Sequence, residues 1–268
     1  MKNILLFLLS MTSFIACSTN AVTGRKQLKL FAEETLQQQA VAEYQSFLSQ
    51  NKVLSGPVNK DAEMVKRVGL RISKAITDYY TQKGLANELN GYKWEFNLVE
   101  SKEVNAWCMP GGKVVVYTGL LNITQNEAAL AVVMGHEITH AIAHHGNERI
   151  SQMALAQGLE VAGNIFTSGN KKANDLFTNI FSPTAQVTVL LPNSRNQEYE
   201  ADHFGLNFAA MAGYNPREAV PFWQRMAAAA GTGKPPEFLS THPSDENRIA
   251  KLQSYMEEAL NYYKPIGK

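Results

Sequence analysis

His136, Glu137 and His140 place three potential metal-site groups within five residues of the chain. On an α-helix, residues four apart are separated by about 40° around the axis and about 6 Å along it. His136 and His140 therefore share one face and can reach the same metal ion, while Glu137 stands beside a water bound to that ion. This spacing predicts a helix that carries a metal site.

The residues around this segment predict that its helix is buried. Thr124 and Glu127 fit a capping box that begins a helix, and Gly146 is typical of a helix end. Between them the sequence is apolar nearly all round, which is typical of a core helix. Two imidazoles and a carboxylate are costly to bury unless a partner satisfies them. We therefore predict one catalytic Zn²⁺ ion, because H-E-x-x-H is typical of zinc hydrolases.

A catalytic zinc site needs a third protein ligand. A second helix, predicted from Ser194 to about Met211, carries Glu198 and Asp202 four residues apart on one face, with Glu200 on another. Two interpretations of this spacing stay open. The two acids form a ligand with a supporting group behind it, or they are ordinary charges on a helix surface.

Four motifs in order resemble a zinc metalloprotease family that includes the HtpX-like membrane proteases, the CAAX prenyl proteases and the Oma-type proteases. Within that family, the chain most resembles the soluble periplasmic members, many of which are lipoproteins. The resemblance implies an α+β, mostly helical, zincin-like domain with a small mixed sheet. The motifs are N-A-x-x-x-P-G-G at Asn105–Gly112, H-E-x-x-H at His136–His140, S-R-x-x-E-x-x-A-D at Ser194–Asp202, and H-P at His242–Pro243.

The same resemblance assigns roles to the motif residues. It implies Glu198 as the third zinc ligand, rather than Glu200, and Asp202 as the acid that orients a ligating imidazole. Arg195 is expected to anchor Asp202 or another nearby acid. His242 is expected to donate a hydrogen bond during catalysis; the alternatives are a fourth zinc ligand that holds the enzyme latent, and a structural helix cap.

The N-A-x-x-x-P-G-G strand is expected to border the cleft and to bind an extended peptide through backbone hydrogen bonds. Its substrate-binding candidates are Asn105, Ala106 and Trp107. Asn105 equally fits a turn-forming role. We interpret Cys108 as a buried strand residue and not as a nucleophile.

Periodicity predicts the remaining elements and a single domain over residues 31–268. Residues Ser151–Asn193 are expected to cover the cleft, with an apolar run at Val187–Leu191 and short helices at Leu159–Phe166 and Leu176–Phe181. The other predicted elements are helices at Ala32–Gln50 and Asp61–Lys83, a strand at Trp94–Leu98, a hairpin of Trp107–Met109 with Lys113–Tyr117, and helices beginning near Asn215 and Ser244.

The N-terminus predicts the cellular location. Lys2 precedes an apolar run too short for a membrane span, which is typical of a signal peptide at residues 1–16. Phe14–Cys17 resembles a bacterial lipobox, so Cys17 is expected to carry lipid, with residues 17–30 as a polar tether; the alternative is plain secretion. We therefore expect a bacterial envelope protein in the periplasm, anchored to the inner or outer membrane.

These features predict a zinc endopeptidase that cleaves misfolded or misassembled envelope proteins, with Glu137 as general base. The alternative is a chaperone-like protein that binds such clients and has a latent zinc site. A zinc hydrolase for other substrates has no feature in its favour. The formal net charge is +1 and falls to 0 without Lys2, which gives no case for nucleic-acid binding.

Overall fold

The computed structural model describes residues 17–56, 58–158, 166, 170–181, 194–231, 236–242 and 247–266. The predicted signal peptide at 1–16 lies outside these residues. So do the apolar run Val187–Leu191 and nearly all of the short helix predicted at Leu159–Phe166. Among the described helices, none combines the length and the apolar character needed to cross a membrane.

A small mixed sheet lies at the centre of the fold. Its strands are β3 (Val53–Leu54), β4 (Glu95–Val99), β5 (Ala106–Met109) and β6 (Lys113–Tyr117), in the spatial order β3-β4-β6-β5. β4 and β6 are parallel, and the other two pairs are antiparallel. The predicted hairpin of β5 and β6 is confirmed, and its turn uses Gly111 and Gly112 at φ values of +80° and +82°. β5 is therefore an edge strand.

Helices cover both faces of the sheet. Val114 and Val116 of β6 face a core built with helices α2 (Lys60–Gln82) and α4 (Glu127–Ile142). Val115 and Tyr117 alternate with these valines and face the opposite side of the sheet. There they pack in a second core built with α1 (Glu33–Gln50) and α6 (Lys171–Phe181). This alternation is the period-two pattern of a strand, and it explains why every residue of β6 is buried.

The described part of the chain is mostly helical, which confirms the predicted fold class. α2 differs from the predicted helix Asp61–Lys83 by one residue at each end. The remaining described helices are α3 (Thr118–Thr124), α5 (His145–Ala156), α7 (Ser194–Met211), α8 (Ala219–Ala230), α9 (Glu237–Thr241) and α10 (Arg248–Tyr262), with 3-10 turns at Ala86–Leu89 and Pro216–Glu218.

The predicted start of the H-E-x-x-H helix is wrong by two residues. Thr124 ends α3, and Gln125 breaks the helix at a φ of 64°. Asn126 is the N-cap of α4, because its Oδ1 accepts a hydrogen bond from the Ala129 N–H at 2.8 Å. An asparagine one residue before Glu127 satisfies the free N–H groups better than the more distant threonine.

The predicted end of this helix at Gly146 is also wrong. α4 ends at Ile142, and His144 turns the chain at a φ of 56°. Gly146 lies in the first turn of α5, where the ring of Phe181 occupies the space that a Cβ would need. The glycine is required for close packing and not for termination.

α4 and α7 cross with their backbones in direct contact. A Cβ on Gly135 would lie 2.5 Å from the Gly205 carbonyl oxygen, and a Cβ on Gly205 would lie 2.7 Å from the Gly135 carbonyl carbon. Such an approach is possible only between glycines. His136 follows Gly135 directly, so the crossing places it against the acidic face of α7.

Residues 17–30, predicted as a polar tether, fold against the domain. β1 (Cys17–Thr19) and β2 (Lys26–Leu28) form an antiparallel hairpin. Asn20 and Gln27 are buried, and their side-chain amides donate to the Ala143 carbonyl at the end of α4, at 3.0 and 2.8 Å. The polar residues of this segment thus cap a helix end instead of remaining in solvent.

Substituting alanine at the helix crossing is expected to destabilise the protein. In Gly205→Ala the gain in helix propensity, about 1 kcal/mol, is outweighed because the new Cβ presses on the rigid backbone of α4, and overpacking costs about 1–3 kcal/mol. Denaturant unfolding measures the change. Gly231→Ala is the control, since the nearest atom to its Cβ is 3.6 Å away. Equal stability of the two variants would contradict the close crossing.

Candidate metal centre

Four buried side chains converge where α4 crosses α7. They are His136 and His140 of α4, Glu198 of α7, and His242, which follows α9. One ligand atom from each lies within 4.8 Å of all the others. The structure thus brings the three predicted zinc ligands together and adds His242 to them.

The separations between these atoms fit a tetrahedral metal ion. With ligand bonds of about 2.0–2.1 Å, the edges of a tetrahedron are about 3.3 Å long. The Nε2 atom of His136 lies 3.0 Å from His140 Nε2 and 3.3 Å from Glu198 Oε2. His242 Nδ1 lies 3.2 Å from His136 Nε2 and 3.0 Å from Glu198 Oε2. Ring nitrogens facing one another repel through their lone pairs, and a bound cation removes that repulsion.

Asp202 contacts the His136 ring, at the place expected for an acid behind a ligand. Its Oδ1 lies 2.9 Å from His136 Nδ1. An Nδ1–H that donates to this carboxylate leaves the lone pair on Nε2 directed at the cluster. Burial alone would raise the pKa of Asp202, but Arg248 and the bond to His136 hold that pKa below its ordinary value.

Arg248 is the guanidinium that anchors Asp202. Its Nε donates to Oδ2 at 2.8 Å and its Nη2 to Oδ1 at 2.7 Å. The guanidinium also stacks 3.6 Å from the centre of the Trp223 ring. Arg195, expected to anchor Asp202 or another nearby acid, is exposed at the start of α7, and its role stays a prediction. Arg248 comes from another helix, and no local pattern identified it.

Glu137 lies beside the cluster with one carboxylate oxygen unpaired among the described residues. Its side chain is buried, and Oε1 makes no hydrogen bond within the described part of the chain. Oε1 lies 3.3 Å from His242 Nε2. Burial, opposed by the nearby His242, raises the pKa of Glu137 to about 7.

A cavity of about 100 Å³ opens beside the cluster. Its walls include Glu137 and the three predicted substrate-binding residues, Asn105, Ala106 and Trp107. Phe181, at the end of α6, also lines it, so the described part of the predicted cover borders the cavity.

The edge strand β5 presents backbone groups on its open side. The Asn105 carbonyl accepts from the Tyr117 N–H at 3.1 Å. By antiparallel alternation, the backbone groups of Ala106 and Cys108 then point away from β6. The Ala106 N–H donates to the Asn105 side-chain oxygen at 2.9 Å. The Trp107 ring instead packs in the second core, edge-on to Phe47 at a centroid distance of 5.0 Å.

Comparison with known proteins shows similarity to metalloendopeptidases. Mitochondrial metalloendopeptidase OMA1 of Arabidopsis thaliana is 36% identical over 182 residues, which cover 67% of this chain and 36% of that protein. The mitochondrial metalloendopeptidase OMA1 of Bos taurus is 33% identical over 255 residues, 92% of this chain and 47% of that protein. The β-barrel assembly-enhancing protease of Escherichia coli (strain K12) is 28% identical over 189 residues, 67% of this chain and 38% of that protein. The chain therefore spans less than half the length of these three relatives.

The predicted location in a bacterial periplasm is contradicted by these comparisons. The relatives that share 33–36% identity with this chain are mitochondrial proteins by name. The bacterial relatives share 28–30% identity over 60–67% of the chain. The short N-terminal pattern therefore does not establish a periplasmic location for this chain.

Removal of Arg248 is expected to weaken both the fold and the metal site. Arg248→Met leaves Asp202 buried without its countercharge, which costs about 3–5 kcal/mol of unfolding free energy, and frees the acid that orients His136. Denaturant unfolding without metal and zinc competition with a chelator measure the two effects. Arg67→Met is the control, because it removes an exposed ion pair with Glu127 that contributes less than about 1 kcal/mol. Equal effects of the two substitutions would contradict the role of Arg248.

The family comparison covers the whole cluster. The model for Peptidase family M48 matches residues 66–256, more than half of the chain, and these include His136, His140, Glu198 and His242. This match confirms the family resemblance and agrees with the predicted enzyme class. The chain belongs to peptidase family M48.

Proposed function

We propose that this chain is a zinc endopeptidase that cleaves unfolded or misassembled proteins, with Glu137 as its general base. The observation that carries the proposal is a buried Glu137 oxygen that makes no hydrogen bond with any described residue. It lies beside a ligand cluster and lines the same cavity as an open strand edge. A purely structural metal site has no use for such a group.

His136, His140 and Glu198 are the proposed holders of one zinc ion, since two imidazoles and a carboxylate form a common catalytic ligand set. A bound zinc ion would supply Lewis acidity to water and to the scissile carbonyl group. The residues of the chain supply the proton transfers. A carboxylate oxygen of Glu137 takes the proton of the attacking water and then delivers it to the nitrogen of the leaving amine.

The substrate is proposed to bind as an extended chain along β5. The backbone groups of Cys108, which point away from β6, and the Ala106 N–H suit pairing with a peptide backbone of any sequence. The Asn105 side chain now occupies the Ala106 N–H, so a substrate carbonyl would replace it and release the amide to bind substrate backbone. This mode favours unfolded chains, because folded proteins have few unpaired strands.

His242 is proposed to close the site in the resting state. Its Nδ1 atom stands at the fourth corner of the cluster, 3.0 Å from Glu198 Oε2, where it would exclude a reactive water. A shift away from this corner would let His242 donate a hydrogen bond to the reacting carbonyl. The closed arrangement is also the observation that favours the alternative function, a client-binding protein with a latent site.

Membrane attachment through a lipid on Cys17 is a separate part of the proposal, supported only by the resemblance of Phe14–Cys17 to a lipobox. Cys17 is the first residue of β1. A lipid there would hold the folded domain at the membrane surface without a tether between them. Mass spectrometry of the N-terminal peptide tests for the lipid.

Glu137→Gln is expected to bind zinc normally and to lose cleavage of unfolded casein by about 10²–10⁴-fold, because the general base is gone. Glu198→Ala is the comparison variant and is expected to lose zinc as well as cleavage. Metal content is measured on the purified proteins beside the cleavage rate. Full cleavage by Glu137→Gln would refute the general-base role, and full zinc content in Glu198→Ala would refute the third ligand.

His242→Ala is expected to raise the cleavage of casein several-fold while the fold is kept, because the fourth corner of the site becomes free. Ser240→Ala, at an exposed position of α9, is the control. A fall in rate would show that His242 acts mainly as a donor in catalysis. An unchanged rate would reduce it to a structural cap, and either result overturns the closing role.

A further inference from the structure

The second histidine ligand is connected to the N-terminal hairpin by a chain of hydrogen bonds. His140 Nδ1 lies 2.8 Å from His145 Nδ1, and His145 Nε2 lies 2.9 Å from Glu200 Oε2. Arg25, between β1 and β2, donates from Nε to Glu200 Oε1 at 2.6 Å. His145 is fully buried, so these contacts are its replacement for water.

If His140 binds a metal through Nε2, only one arrangement of protons satisfies this series of hydrogen bonds. His140 then carries its proton on Nδ1 and donates to His145 Nδ1. His145 carries its own proton on Nε2 and donates to the Glu200 carboxylate. Every donor in the series then has an acceptor, and the last group in the series is the positively charged Arg25.

Arg25 is held in place by more than Glu200. Its Nη1 and Nη2 atoms donate to the two oxygens of Glu148 on α5, each at 2.7 Å. Gln197 of α7 donates to the same carboxylate at 2.8 Å. One guanidinium therefore joins the hairpin to both α5 and α7, in a geometry that lysine cannot reproduce.

His136 and His140 are each held by hydrogen bonds that lead to an acid of α7 and then to an arginine. Behind His136 stands Asp202, anchored by Arg248 near the C-terminus. Behind His140 stands His145, and behind that Glu200, anchored by Arg25 near the N-terminus. Both acids belong to α7, and each arginine comes from a distant part of the chain.

We propose that the hairpin of residues 17–28 is part of the metal site, with Arg25, Glu200 and His145 as positioning residues that fix the His140 ring. The inference rests on the proposed zinc site but not on peptide cleavage. Arg25 lies outside residues 66–256, which the family model matches. Partners behind metal ligands typically change metal affinity by about 10–100-fold.

Zinc affinity of the full chain, measured by competition with a chelator, tests the proposal. His145→Phe fills the buried space but removes the acceptor for His140, and Glu200→Gln removes the negative charge between His145 and Arg25. Both are expected to bind zinc about 10–100-fold more weakly. Arg25→Lys keeps the positive charge beside its two acids and is expected to have an intermediate effect.

Glu258→Gln is the matched control. Glu258 also accepts a hydrogen bond from a histidine, His203 of α7, at 2.7 Å, but this pair does not contact the metal ligands. Its zinc affinity is expected to stay within about twofold of the unaltered chain. Melting temperatures of all metal-free variants separate a change at the site from a loss of fold, and the visible spectrum of bound Co²⁺ reports the ligand geometry directly.

The outcomes distinguish this inference from the proposed function. Unchanged zinc affinity and an unchanged Co²⁺ spectrum in His145→Phe and Glu200→Gln would overturn the positioning role, even if the unaltered chain cleaves casein. A weakened affinity that merely follows the loss of melting temperature would also overturn it. Zinc binding without any cleavage by the unaltered chain would overturn the peptidase function and leave the positioning role intact.

Discussion

The direct contact between Gly135 and Gly205 is the constraint on which the site depends. Ordinary helix pairs lie 8–10 Å apart because side chains separate them, and here a single Cβ would already overlap the neighbouring backbone. Because the backbones of α4 and α7 are in contact, His136 on α4 lies directly beside the carboxylates on α7. Larger side chains at positions 135 and 205 would separate the imidazoles from Glu198 and leave each of these polar groups buried without a partner. The two glycines therefore determine how closely His136 and Glu198 approach, although neither glycine belongs to the cluster.

The close crossing creates an electrostatic problem that the rest of the fold answers. α7 brings Glu198, Glu200 and Asp202 into or beside a buried region that also holds Glu137. Burial opposes the charged form of each acid. Arginines on opposite sides offset two of these charges, since Arg248 contacts Asp202 and Arg25 contacts Glu200. Arg25 and Arg248 thus meet at the metal site, although the sequence separates them by more than 200 residues.

Sequence alone predicted the parts of the site that depend on local geometry. Helix periodicity was sufficient to put His136 and His140 on one face, and the same spacing paired Glu198 with Asp202. It did not identify Arg25 or Arg248, because an arginine that contacts an acid across the fold has no local pattern. For the same reason residues 17–30 resembled a tether: Asn20 and Gln27 are polar, and only the folded chain shows that they bind the end of α4. The error at the start of α4 was local, since Asn126 and Thr124 are both suitable N-cap residues within three positions of each other.

Side chains of the chain itself fill the proposed binding positions. Asn105 satisfies the Ala106 N–H at the strand edge, and His242 stands at the fourth corner of the ligand cluster. Both sites would otherwise leave polar groups unpaired in a largely buried cavity, which is costly. A peptide that pairs with β5 provides the backbone carbonyl that releases Asn105, but it makes no such exchange for His242. In the proposed mechanism, strand pairing and opening of the metal site are therefore separate steps, and the alternative client-binding function needs only the first.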